Sequence, residues 1–412
     1  MAVALTVPTV WIVRDVSAGA EKLQGATVAI YAVDVAAAIV IVCALLCARE
    51  RLMTTVRTAW RRLPGVVVSA GALALYGAVS TVWATDGMLA MQWTVRWVLV
   101  LGVIVSLVAL RVRLVSMIAV FTLAMAVQSV VGIEQFATQE VVANTYLGTS
   151  AHRSVPGYMG VIETPEGRIL RAYGFQSHPN IFGGLAAAAI LGAVYVASTR
   201  RALRWVFLGV ALLCTAGVLV SFSRTAVATA VIGGVLLAAL LPRVRWAIVP
   251  VGGALVVMAL VLSPVWSSRV TGDARLERQS VSDRMTQYTQ AWTMIASHPY
   301  RGVGAGNYVA TLYERDATHG AWTYQFVHNV PVLFITEFGV VGGLLCLPAL
   351  WSVIKRRSLR RRTAALLLAG AALLLLDHYL YTTAVGMYGS AMMVLAAYRV
   401  PRTDVRSSAN PE

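Results

Sequence analysis

The chain has 412 residues, of which 58% are hydrophobic and only 13% charged, and its mean hydropathy is +0.72. A soluble domain carries about 25% charged residues, so a water-soluble globular protein is excluded. The formal net charge of +16 would suggest nucleic acid as partner of a soluble protein; in a membrane chain the basic residues serve orientation, and no nucleic acid is expected.

Residues 2–13 are apolar but short. They suit an interfacial segment, or the outer part of a further spanning helix that continues into 14–25. They carry no basic n-region and so make a poor secretory signal. Apolar runs then predict helices near 26–48, 64–84, 92–110, 114–136, 179–198, 204–220, 224–242, 246–264, 328–354, 363–381 and 383–399. The fold class is an all-α polytopic membrane protein with about eleven or twelve spans, one integral membrane domain over 1–412.

The connections between these helices alternate in charge. Arg49, Arg51, Arg57, Arg61 and Arg62 fall in one, and Arg111 and Arg113 in the next but one. Arg200, Arg201 and Arg204 follow, then Arg243 and Arg245, the run from Lys355 to Arg362, and finally Arg399, Arg402 and Arg406. Excess Arg and Lys marks the cytoplasmic side, so the remaining loops face outward. Two of these are long, 137–178 and 265–327, and long loops in compact proteins carry function. The second holds DRMTQYTQAWTMIA, with Met285, Tyr288, Trp292 and Met294 or Ile295 at near-helical spacing, a pattern suited to the membrane surface. Cys43, Cys47, Cys214 and Cys346 all fall inside apolar runs and read as buried membrane cysteines.

Ionisable residues inside a membrane point to function. Here they are Asp34, Arg96, Arg224, Glu337, Asp377 and His378. The topology puts all of them in the outer half, as expected of a polar cavity opening outward. Interhelical ion pairs, such as Asp377 with Arg96, are the structural alternative.

Three helix starts meet at this level. RAYGFQSHPN (171–180) has Pro179 in a first turn and His178 at the cap, a structural place for a histidine. SFSRTA (221–226) offers Ser223 as N-cap and Arg224 in the first turn. HNVPVLFITEFG (328–339) begins with His328 and Asn329, and Asn329 suits either a cap or a ligand contact.

Positive helix ends together with arginines make an anion site. Arg171, Arg224 and Arg284 offer forks that match phosphate oxygens, so a diphosphate is a natural ligand and a carboxylate the alternative. Arg284 is equally well read as a solvated loop arginine paired with Asp283 or Glu277. His328 is the candidate general base, since an unperturbed imidazole titrates near 6.5. A lone histidine at a helix start also serves as a cap. Asp316, His319 and His328 with His298 match no zinc spacing, and neither His-Glu-x-x-His nor a Walker loop occurs.

These motifs resemble those of bacterial O-antigen ligases and the related Wzy-type polysaccharide polymerases. The resemblance rests on Arg171 and Gly174 with His178-Pro179-Asn180 and Gly183, and on Ser223-Arg224 at a helix start. Arg284 with Trp292, Gly302-Val303-Gly304 with Gly306-Asn307, and His328-Asn329 followed by Glu337, Gly339 and Gly342 complete it, so that it covers most of 64–399.

It implies a glycosyltransferase of the GT-C type in the bilayer of the bacterial cytoplasmic membrane, with its active site facing the periplasm or outside. The donor would be a glycan on undecaprenyl diphosphate. The acceptor hydroxyl would sit on a lipid A core for a ligase, or on the next repeat unit for a polymerase. The reaction would invert the sugar and use no metal, nucleotide sugar or other cofactor. His328 would activate the acceptor, Arg224 and Arg284 would hold the diphosphate, and Arg171, Asn180, Ser223, Asn329 and Glu337 form the substrate-binding set. An ion-coupled transporter is the competing class; polar groups near one surface and large outer loops favour the enzyme.

Overall fold

A computed structural model describes residues 9–18, 21–155, 160–165, 167–271, 275–355 and 374–397. The first of them do not form a spanning helix continuing into 14–25, one of the two expected alternatives. Strand β1 (Val10–Arg14) pairs antiparallel with β4 (Val28–Tyr31), and between them β2 (Ser17–Ala18) pairs with β3 (Glu21–Lys22). The reason is local: VWIV and VAIY are rich in β-branched and aromatic residues, and the polar stretch between them makes a reversal rather than a span. The helix expected from 26 therefore begins at Ala32. Its start is fixed by Asp34, whose carboxylate accepts the Tyr31 backbone N–H at 3.1 Å.

Helix α1 (Ala32–Arg62) then runs through Arg49, Arg51, Arg57, Arg61 and Arg62 without the expected loop, interrupted only at Ala48 (φ −145, ψ 27). Arginines are good helix formers and are favoured at a negative C-terminal end. Cys43 and Cys47 lie on its exposed face rather than in the core, while Cys214 is buried as expected. Next come α2 (Pro64–Ser80), α3 (Gly87–Ala109) and α4 (Leu114–Thr138). The 139–178 loop contains two small hairpins, β5 (Glu140–Val141) with β6 (His152–Arg153) and β7 (Val161–Thr164) with β8 (Gly167–Leu170).

Helices α5 (Pro179–Thr199), α6 (Arg204–Val220), α7 (Arg224–Leu240) and α8 (Arg245–Val261) follow. Of the spans, α5 is the most buried. It packs on α4, α6 and α7 through a surface of alanine and glycine, which lets backbones approach closely without a hydrophobic driving force between helices. Seven described helices are long and apolar enough to cross a membrane, and α2 and α7 are apolar but shorter. The chain is an all-α polytopic membrane protein. The basic residues at 356–362 and beyond 397, and most of the helix expected over 363–381, lie outside the described residues.

The 265–327 loop is largely helical. Helix α9 (Ser263–Thr271) leads to α10 (Arg275–Ser297), and α11 (Tyr308–Arg315) follows. The amphipathic helix is present, with its expected apolar residues divided between two faces. Gln287, Ala291 and Met294 are buried, whereas Met285 and Trp292 are exposed. The cause is tertiary, since α10 packs against α12 (Val330–Ile354) and takes its small and flexible residues to that contact.

Helix α12 is broken at Gly339 (φ 62, ψ −168). The PYRGVG loop fills the break: Val303 and Gly304 N–H donate to the carbonyls of Thr336 and Glu337 at 3.0 Å each, and Val340 and Val341 N–H donate to those of Pro299 and Tyr300. Gly302 and Gly339 face each other there. A Cβ on Gly302 would lie 2.3 Å from the Glu337 carbonyl oxygen, and one on Gly339 would lie 2.2 Å from that of Tyr300. The close crossing of two backbones explains these glycines.

Candidate active site

Three helix starts come to the loop-rich end of the bundle. At the first, the His178 Nδ1 accepts the Asn180 backbone N–H at 3.1 Å, capping α5. Burial, with Arg171 nearby, pushes the pKa of His178 well below the ordinary imidazole value. It is the structural histidine its position predicts. At the second, the Ser223 Oγ accepts the Ala226 N–H at 3.3 Å. The residue before it, Phe222, is buried at φ 48 and packs between Phe136 and Trp266. A bulky residue held at positive φ is strained and marks a fixed turn. That turn places Arg224 at the surface at the start of α7. At the third, the Asn329 Oδ1 accepts the Val332 N–H at 3.0 Å, so Asn329 is a cap.

Arg171 joins two of these starts. Its Nε donates to the Ser221 carbonyl at 2.8 Å and its Nη2 to the Asn180 Oδ1 at 2.6 Å, and it is buried. The Asn180 side chain and the Ser221 carbonyl thus hold the Arg171 guanidinium between α5 and the turn before α7.

Glu337 sits deeper. Its carboxylate accepts N–H groups from Gly306 (3.0 Å) and Tyr308 (3.3 Å) and the Tyr381 hydroxyl (2.5 Å), which makes it the anchor of the GVGAGN turn. The neighbouring Asn307 ties that turn to α3: its Oδ1 accepts the Asp86 N–H at 2.7 Å and its Nδ2 donates to the Asp86 carbonyl at 3.1 Å.

His328 lies where these elements meet. Its Nδ1 is 2.8 Å from the Gln287 Oε1 on α10. Arg284, one turn earlier on α10, acts electrostatically on His328, Asp377 and His378. It lies half-buried on a helix rather than in an irregular loop. Burial pushes the His328 pKa down to about 4; His378 and Arg284 act in the same direction, and Asp377 opposes them. The imidazole is neutral at pH 7 and holds an unprotonated nitrogen.

Two residues counted only among the intramembrane charges, Asp377 and His378, complete the cluster. The His328 and His378 rings are 5.0 Å apart, edge to face, and the ligand atoms of His328, Asp377 and His378 all lie within 4.8 Å of one another. Such a set could hold a metal ion, although Arg171 and Arg284 both act on the same carboxylate and oppose a dication. Asp316 and His319 instead pair with each other at 3.2 Å in an exposed turn. The sequence signal for Asp377-His378 is two adjacent ionisable residues at the end of an apolar run. Gln287 carries no such signal.

The expected Asp377–Arg96 pair does not form. Arg96 makes a bidentate contact with Asp34 at 3.2 and 3.1 Å and donates to the Ala29 carbonyl. Asp34 reaches it because the N-terminal hairpin packs against α3. A small cavity beside Arg96 is lined also by Glu337, Tyr381 and Thr382.

Residues 209–347 match the family model described as O-antigen ligase, in agreement with the motif resemblance. The match includes Ser223-Arg224, Arg284, the GVGAGN turn and His328; Arg171, Asp377 and His378 lie outside it. It supports a ligase- or polymerase-type glycosyltransferase in general. No curated protein and no solved structure gives a significant match.

Proposed function

From the O-antigen ligase match over residues 209–347, we propose that the protein moves a glycan from undecaprenyl diphosphate to an acceptor hydroxyl. The transfer takes place at the outer face of the bacterial cytoplasmic membrane. The observation that carries this reading is the convergence of a neutral, oriented His328 with Arg284 at the start of a membrane helix.

The chemistry follows from those groups. The acceptor oxygen attacks the anomeric carbon as the bond from that carbon to the diphosphate oxygen breaks. The electron pair leaves on the diphosphate, and the hydroxyl proton passes to the free Nε2 of His328. Attack opposite the leaving group inverts the sugar. Arg284 and Arg224 take up the charge that grows on the leaving diphosphate; a preorganised group of this kind contributes about 3 kcal/mol or more to the rate. Arg171, held by Ser221 and Asn180, supplies positive potential beside them. Asn180, Ser223, Asn329 and Glu337 set the shape of the binding region.

The cationic surroundings of Asp377 support catalysis without a metal. The positive-inside pattern of the sequence supports an outward-facing site. The ligase reading, with a lipid A-core acceptor, follows the family description; a polymerase using the next repeat unit shares the same chemistry.

The test is transfer in vitro from a defined undecaprenyl-diphosphate glycan, with and without chelator, offered each acceptor in turn. Transfer that survives chelation and is lost in His328→Ala is the expected result. Full activity of a folded His328→Ala protein removes the base assignment, and uptake of a solute without transfer favours the transporter.

A further inference from the structure

The two imidazoles of the cluster are held in the same way. The His328 Nδ1 faces the Gln287 Oε1 at 2.8 Å, an atom that can only accept. The His378 Nδ1 faces the Thr382 Oγ1 at 2.8 Å, and that hydroxyl already donates to the His378 carbonyl at 3.3 Å, which leaves its lone pair for the ring. With the proton of each ring on Nδ1, as the Gln287 oxygen requires at His328 and the Thr382 oxygen can accept at His378, both Nε2 atoms are acceptors. The third member is Asp377, 3% exposed, whose Oδ2 has no hydrogen-bond partner among the described residues. A buried carboxylate oxygen left unpaired is costly, so its place at the convergence point calls for a ligand that donates.

Building on the function proposed above, we propose that His328, His378 and Asp377 form an all-acceptor seat for two neighbouring hydroxyls of the acceptor sugar. One hydroxyl donates to His328 and attacks. The adjacent hydroxyl donates to His378 or Asp377 and fixes the attack angle. The ligand class is thus a vicinal diol, and Thr382 is a positioning residue that keeps His378 in the accepting tautomer. The charge of Arg284 acts on all three groups of this seat, so the site divides into acceptors for the incoming sugar and a cation for the leaving diphosphate. A divalent cation would satisfy the same three atoms, and the arginines disfavour it.

The test is steady-state transfer with acceptor and donor varied separately, in wild type, His378→Asn, Thr382→Val and Thr382→Ser. Losing one hydrogen bond to the acceptor should raise its KM about tenfold in His378→Asn and Thr382→Val, with the donor KM unchanged and Thr382→Ser close to wild type. An acceptor deoxygenated beside the reacting hydroxyl should lose about tenfold in kcat/KM with wild type and little more with His378→Asn, because the two changes remove one contact. Equal losses with both enzymes, or equal rises in both KM values, overturn the seat. Thr382→Val is nearly isosteric and carries the test where His378→Asn does not fold. Loss of transfer on chelation, restored by zinc, replaces the diol with a metal. If wild type transfers nothing to any hydroxyl, the function reading itself fails, and the seat with it.

Discussion

Gln287 holds His328: the amide oxygen on α10 sits 2.8 Å from the ring Nδ1 at the start of α12. The long loop therefore orients His328, the base of the proposed reaction, at the start of a membrane helix. Gln287→Leu keeps the size and removes the acceptor. Its transfer rate should fall on the order of a hundredfold, the cost of misplacing a reacting group, with elution in detergent unchanged. A wild-type rate would show that α10 does not position the base.

Arg284 sets the acid limit of activity. With His328 at about 4, kcat/KM should be flat through neutral pH for this group and fall only as pH drops toward that value. Because Arg284 helps to hold the pKa down, Arg284→Gln should move the acid limb upward, toward 6.5. The sign for stability is parallel. The unfolded histidine binds its proton more readily than the folded one, so the stabilising difference is present above about 6.5 and is lost as pH falls toward 4. A pH–rate profile of the two proteins decides this, and an acid limb that does not move removes the electrostatic link.

Gly302 and Gly339 should tolerate no side chain. Gly302→Ala forces a left-handed residue onto the Glu337 backbone. It should cost at least about 1–3 kcal/mol from the backbone conformation alone, read as a lowered melting temperature in detergent. Gly253→Ala in α8, where a Cβ meets nothing within 4 Å, is the control and should leave the melting temperature unchanged or raise it.

The Asp34–Arg96 pair should be expensive to break and cheap to replace. Arg96→Met alone leaves a buried carboxylate uncompensated, a change worth about 3–5 kcal/mol. Adding Asp34→Leu should recover much of that loss in the same thermal measurement. Additive losses would show that the two residues act independently.

The sequence by itself determined α2 to α8 and α12 to within a few residues, and the caps, because apolar length and local hydrogen bonding are properties of short stretches; α1 was the exception, starting late at Ala32 and running on to Arg62. His178, Ser223 and Asn329 cap helices as their positions predict. The glycines at 302, 304, 306 and 339 were legible as a motif, but not as the crossing of a loop through a broken helix. That crossing depends on residues more than 30 apart meeting backbone to backbone.

The N-terminal hairpin was missed because apolar content alone does not separate a strand from a short span. Which face of α10 is buried, which acid pairs with Arg96, and which groups surround His328 were decided only in three dimensions. Gln287 and Thr382 are ordinary polar residues until packing places an oxygen beside each imidazole, and that placement is what makes both rings acceptors.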